Sequence, residues 1–179
     1  MDEFAFCLLP FAPFPEPADL EIQGAIARQH HHLTLSYQLR GNLAGVVIPP
    51  PSENPSRQHN LWEETCFEFF LGMPDSPRYW EFNLSPAGHW NVYHFTDYRQ
   101  GMEEETAWNS LPFRVQIEPD SISLTLTLDL GAIAIAERPV EVAITTVLRH
   151  RDGQMTYWAL IHPGSQADFH RRDSFILGM

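Results

Sequence analysis

The chain is 179 residues long, 44% hydrophobic and 12% aromatic, with a formal net charge of -12. That length suits one domain with a sizeable core, and the charge disfavours a nucleic-acid backbone or an anionic membrane surface as a partner. The sequence contains no lysine, which excludes Schiff-base chemistry and the lysine of a phosphate-binding loop.

The acidic start Met1-Asp2-Glu3 is not followed by an export-type apolar stretch, so the expected location is the cytoplasm. No apolar run approaches the roughly 20 residues of a spanning helix. Short runs rich in β-branched and aromatic residues, broken by Pro, Gly, Asn and Asp, predict strands near 3–9, 20–28, 31–40, 65–71, 79–85 and 89–96. The clearest period-two signal is 113–128. Phe113, Val115 and Ile117 alternate with polar residues, Pro119-Asp120 turns the chain, and Ile122, Leu124, Leu126 and Leu128 alternate again. Further strands are expected at 140–149, 155–162 and 173–178, with Asp152-Gly153 and Pro86-Ala87-Gly88 as hairpin turns. At most one short helix is expected, within 129–136, where Asp129 could cap a turn or two. Long loops are expected at 10–18, 49–58, 97–112 and 162–172, with Glu103-Glu104-Glu105 at a solvated tip. The whole predicts an all-β, antiparallel two-sheet sandwich of jelly-roll type, a single domain over 1–179.

In a strand over 65–71, Cys66, Glu68 and Phe70 share one face, and Tyr79, Glu81 and Asn83 share a face of the next. Pairing of the two would set Glu68 and Glu81 on one side, as a ligand floor or as a salt-bridged pair. Two inward carboxylates also suit glycoside hydrolysis, but no acid–nucleophile motif accompanies them and catalysis is not expected. Trp62, Tyr93, Trp90 and Trp158 are flat plates for a sugar or for the core. Arg99 offers a planar fork to a carboxylate or to hydroxyls, or else pairs with Glu64, Glu68 or Glu81. Cys7 and Cys66 lack metal spacing and are expected to stay unpaired. Consecutive His30, His31 and His32 read as an exposed turn rather than a ligand set, whereas one loop could fold His162, Asp168 and His170 around a metal.

The run Trp62-Glu63-Glu64-Thr65-Cys66-Phe67-Glu68-Phe69-Phe70-Leu71 resembles a strand of DOMON-like domains related to family 9 carbohydrate-binding modules. Tyr79-Trp80-Glu81-Phe82-Asn83-Leu84-Ser85-Pro86-Ala87-Gly88, Tyr98-Arg99-Gln100-Gly101-Met102 and a tail from Tyr157 to Phe175 are similar to segments of small bacterial members of that group. The resemblance covers most of 60–179. It implies a jelly-roll sandwich with a ligand on one sheet face, a sugar or, in some branches, a haem. It implies that Trp62 stacks on the sugar, that Glu64, Glu68, Glu81 and Asn83 are polar groups near the site, and that Trp158 is a second plate. A haem would call for axial ligands such as Met102 with His94 or His89. The expected function is therefore non-catalytic binding of a small carbohydrate or sugar-like metabolite by a monomer or homodimer. The alternatives are a haem or metal domain, or an interaction protein without a small ligand.

Overall fold

Nearly all regular structure is strand, and every strand–strand pairing is antiparallel. The computed structural model describes residues 2–12, 19–133, 135 and 137–179. The strands are β1 (Asp2–Pro10), β2 (Glu21–Gln29), β3 (His32–Arg40), β4 (Cys66–Gly72), β5 (Tyr79–Leu84), β6 (Trp90–Phe95), β7 (Glu103–Glu104), β8 (Phe113–Glu118), β9 (Ser121–Asp129), β10 (Glu141–Arg149), β11 (Met155–Ala159) and β12 (Leu177–Gly178). Their order is β7-β6-β5-β4-β10-β11-β1-β2-β3-β9-β8, with β12 on β10. β1 joins the two halves, because Asp2–Leu8 pair with β2 while Leu9 and Pro10 pair with β11.

The sheet folds back on itself. Tyr37 of β3 donates a 2.5 Å hydrogen bond to the backbone carbonyl of Glu68 in β4, a strand from the other half, and its ring packs on Phe67 at 5.1 Å. The core between the halves takes one side chain in two from each strand. Leu33, Leu35, Tyr37 and Leu39 come from β3, Phe67, Phe69 and Leu71 from β4, and Ile122, Leu124, Leu126 and Leu128 from β9. Each such side chain contributes about 1.5–3 kcal/mol by leaving water. Gly24 is where a side chain would not fit. A Cβ there would lie 1.9 Å from the Ser36 carbonyl oxygen, and Phe6 and Tyr37, its partners on either side, meet edge to face at 5.6 Å.

The hairpin turns form where the sequence sets them. Gly153 has φ +86° and Gly88 φ +91°, a region favouring glycine. Three expectations are corrected. The helix over 129–136 is a three-residue 3₁₀ turn, Leu130–Ala132, with Asp129 accepting from the Gly131 N–H; residues 134 and 136 lie outside the described ones. The strand over 173–178 divides into a 3₁₀ turn, Arg172–Ser174, and β12. The Glu103–Glu105 tip is tethered, since Glu105 accepts from Trp80 Nε1 at 3.0 Å and Glu104 from Asn91 Nδ2 at 2.9 Å. Most of the loop expected at 10–18 lies outside the described residues. Among those described, no helix is long and apolar enough to cross a membrane.

Candidate binding site

β4, β5 and most of β6 are buried on both faces. One face meets the core. The other carries a second aromatic cluster of Phe70, Tyr79, Tyr93, Phe95 and Phe175, with Trp62 and Phe169 packed against it. The C-terminal segment, laid back over the sheet, supplies Phe169, His170 and Phe175. Beside this cluster lies a cavity of about 360 Å³, within the size range of small-molecule sites. Glu68 and Glu81 line it, with Trp62, Tyr157 and Phe169 as aromatic walls and Arg99 and Met102 from the loop after β6.

Strand register explains the carboxyl pair. Glu68 lies opposite Asn83, and Glu81 lies opposite Phe70. The two carboxyls are therefore diagonal neighbours, about 7–8 Å apart at the backbone and within mutual reach of long side chains. Both are almost fully buried. Asn83 Nδ2 donates to Glu81 Oε1 at 3.0 Å. Among the described residues Glu68 Oε1 is sealed from solvent without a well-formed hydrogen bond; the Cys66 thiol and the Thr145 hydroxyl, across from it in β10, lie beside the carboxyl and only partly ease its burial. Burial, and then the charge of Glu81, raise the Glu68 carboxyl well above the ordinary range. Burial pushes Glu81 up to about 7, only partly countered by Asn83 and then Arg99. At neutral pH the pair therefore retains a proton.

A hydrogen-bonded chain borders the pair. The Arg99 N–H donates to the Tyr79 hydroxyl at 3.1 Å, and that hydroxyl lies 2.8 Å from His170 Nδ1. On its other side the His170 ring brings Nε2 to 3.8 Å from Glu81 Oε2. Burial, then the Arg99 charge, lower His170 to about 4, so the ring is neutral. Burial raises Tyr79 to about 12. Asp168 fastens the loop after β6 to the C-terminal segment, accepting from Tyr98 at 2.5 Å, Arg99 at 2.8 Å and the His170 N–H at 3.1 Å. Burial works against the Asp168 charge, but the Tyr98 and Arg99 bonds outweigh it and hold the carboxyl below its ordinary value.

Trp62, Glu68, Glu81 and Arg99 thus meet at one cavity, and Asn83 supports it from beneath. Arg99 pairs with Asp168 rather than with Glu64, Glu68 or Glu81. Two expected site residues sit elsewhere. Glu64 is ion-paired with Arg149, and Trp158 is in the core while its neighbour Tyr157 takes the cavity side. His162, Asp168 and His170 do not gather around one point. His162 Nε2 contacts the Leu9 carbonyl, and the other two are engaged as described. His31, His32 and Asp129 come within 4.8 Å of one another instead, at the exposed turn before β3, where Asp129 is occupied in capping. Met102 lines the cavity, but His94 faces Glu103 and Glu105 and His89 faces Ser56, so neither of those two His–Met pairs is brought together. Cys7 and Cys66 are free thiols. Tyr157 and Phe169 were not foreseen. Strict alternation with Trp158 is the one signal that could have found Tyr157, and Phe169 reaches the site only through the path of the tail.

The fold is similar to that of solved carbohydrate-binding proteins. The structure superposes on a candidate carbohydrate-binding protein from Bacteroides uniformis with a TM-score of 0.67 at 14% identity, over 97% of this chain and 84% of that one. It superposes on a family 9 carbohydrate-binding module from Caldicellulosiruptor kristjanssonii, bound to cellotriose, with a TM-score of 0.52 at 8% identity, over 90% and 74% of the two chains. No family model matches the chain, and no curated protein is similar to it in sequence. The likeness to family 9 modules therefore stands on the fold.

Proposed function

We propose that the chain is a non-catalytic binding domain for a small carbohydrate or sugar-like metabolite, a DOMON-like relative of family 9 modules. We read its two facing halves as the two layers of a jelly-roll sandwich. The observation that carries the reading is the cavity itself, where a buried carboxyl pair lies beneath an indole and two further aromatic rings. A sugar ring has an apolar face and a polar edge. Trp62 suits the first, and Glu68 and Glu81, with Asn83 holding Glu81, suit the second. Arg99 stands at the mouth, half-exposed and already paired, so its part is to position the loop and to offer its remaining donors.

The test is calorimetric titration with a panel of monosaccharides and short oligosaccharides. Saturable binding is expected, and Trp62→Ala is expected to weaken it at least about fivefold, the equivalent of ~1 kcal/mol. Absence of binding across the panel, or binding indifferent to Trp62, would overturn the reading.

A further inference from the structure

We infer that the ligand of this cavity carries a protonated amine, a sugar-sized polyol with an ammonium group seated against Glu68 and Glu81. The inference rests on the proposed sugar site and narrows its ligand. The cavity floor holds two buried carboxyls and, among the described residues, no cation that is not already paired. Arg99, the cation that lines the cavity, is committed to Asp168 at 2.8 Å, and the neutral His170 ring stands off, its Nε2 3.8 Å from Glu81 Oε2. Among the described residues Glu68 Oε1 is buried without a well-formed hydrogen bond; only the weak Cys66 thiol and the Thr145 hydroxyl stand beside its carboxyl, and an unmet buried acceptor costs about 1–3 kcal/mol.

Among the described residues, the groups that face the pair bring neutral donors but no free positive charge. β4 contributes Cys66, a free buried thiol. β5 and β6 contribute Tyr79 and Tyr93, whose hydroxyls stay neutral. β10 contributes Thr145, which does not titrate. Asp168 and Glu104 add negative charge nearby. Two carboxyls this close settle for one proton or one cation. A neutral sugar leaves the proton in place and must share the acceptors with it. An ammonium displaces it, offers the carboxyl pair a charge-assisted bond, and meets aromatic faces on the remaining sides, Trp62 above all.

The experiment compares rings matched except for one group, D-glucosamine with D-glucose, D-galactosamine with D-galactose and D-mannosamine with D-mannose. Cyclohexylamine is included as an amine without a sugar. Titrations run at pH 6.5 in two buffers of different ionisation heat, which reads protons released on binding. The expected result is at least one amine ring bound tenfold or more tighter than its hydroxyl twin, with net proton release that the twin lacks. Glu68→Gln and Glu81→Gln, confirmed as folded by circular dichroism, should each shrink that ratio. Hydroxyl rings binding as well as or better than the amines would overturn the inference and leave the sugar site standing. Cyclohexylamine binding as tightly as the best amine sugar would leave the ammonium site and remove the sugar. Binding by none of them would remove both.

Discussion

Glu81 ties the stability of the fold to a single proton. Its carboxyl ionises at about 7 in the folded chain and near 4.3 when unfolded. Between those values the folded state holds more protons than the unfolded state, so stability falls as pH rises through that window and is fully present below it. Glu68, also raised by burial and then by the charge of Glu81, adds a decline of the same sign. His170 has the opposite sign. Its depressed value of about 4 means that stability falls as pH drops from about 6.5 toward 4. The two slopes oppose each other at mildly acid pH, and above about 6.5 only the carboxyls remain. Thermal melts should therefore show the melting temperature falling from pH 6.5 to 8. Glu81→Gln should flatten that fall, recovering on the order of 3 kcal/mol at pH 8. An unchanged slope in the variant would place the buried proton elsewhere.

At the scale of elements, β4 and β5 carry the site, and their roles were legible because strand periodicity is strict. Alternation alone puts Cys66, Glu68 and Phe70 opposite Phe67 and Phe69, and Glu81 and Asn83 opposite Trp80 and Phe82, as the two aromatic clusters bear out. The same logic cannot say which face of β11 meets the core. Tyr157 and Trp158 are both aromatic, and only the pairing of Trp158 with Thr146 turns the indole inward. The tail defeats sequence reading for a related reason. Residues 173–178 have strand composition, but Arg172 spends its guanidinium on Glu141 and the Met73 carbonyl and fills the space above Gly72. That clamp winds the segment into a turn and lays His170 and Phe169 over the sheet. Glu104 and Glu105 read as solvent-facing because their partners, Asn91 and Trp80, are distant in sequence. Gly24 is the counterpart in the other half, a position where strand packing tolerates only hydrogen. Gly24→Ala would press a methyl against the Ser36 carbonyl and force β2 from β3. A loss of about 3 kcal/mol is expected, read as a lower urea midpoint with an unchanged slope. Because Gly24 lies outside the cavity lining, any sugar affinity should survive in the folded fraction.

For the whole molecule, charge is the property that composition fixes most firmly. There are 23 acidic residues against 11 arginines, and among the described residues five arginines pair with carboxylates. Exposed pairs of this kind contribute about 0–1 kcal/mol each, whereas the unpaired carboxylates repel one another across the surface. Salt screens both, shortening the Debye length from about 30 Å at 0.01 M to about 10 Å at 0.1 M. Repulsion acts over the longer range and has more members, so it loses more. The melting temperature should therefore rise as sodium chloride increases from 10 to 300 mM, by a few degrees for a gain of about 1 kcal/mol. The same field gathers cations toward the cavity and is indifferent to neutral sugars. Across that titration D-glucosamine binding should weaken severalfold, mainly through a slower association rate, while D-glucose binding stays level. Salt would then stabilise the fold and loosen its cationic ligand at once. Parallel weakening of both sugars would mean that salt acts on the fold of the cavity rather than on the charge of the ligand.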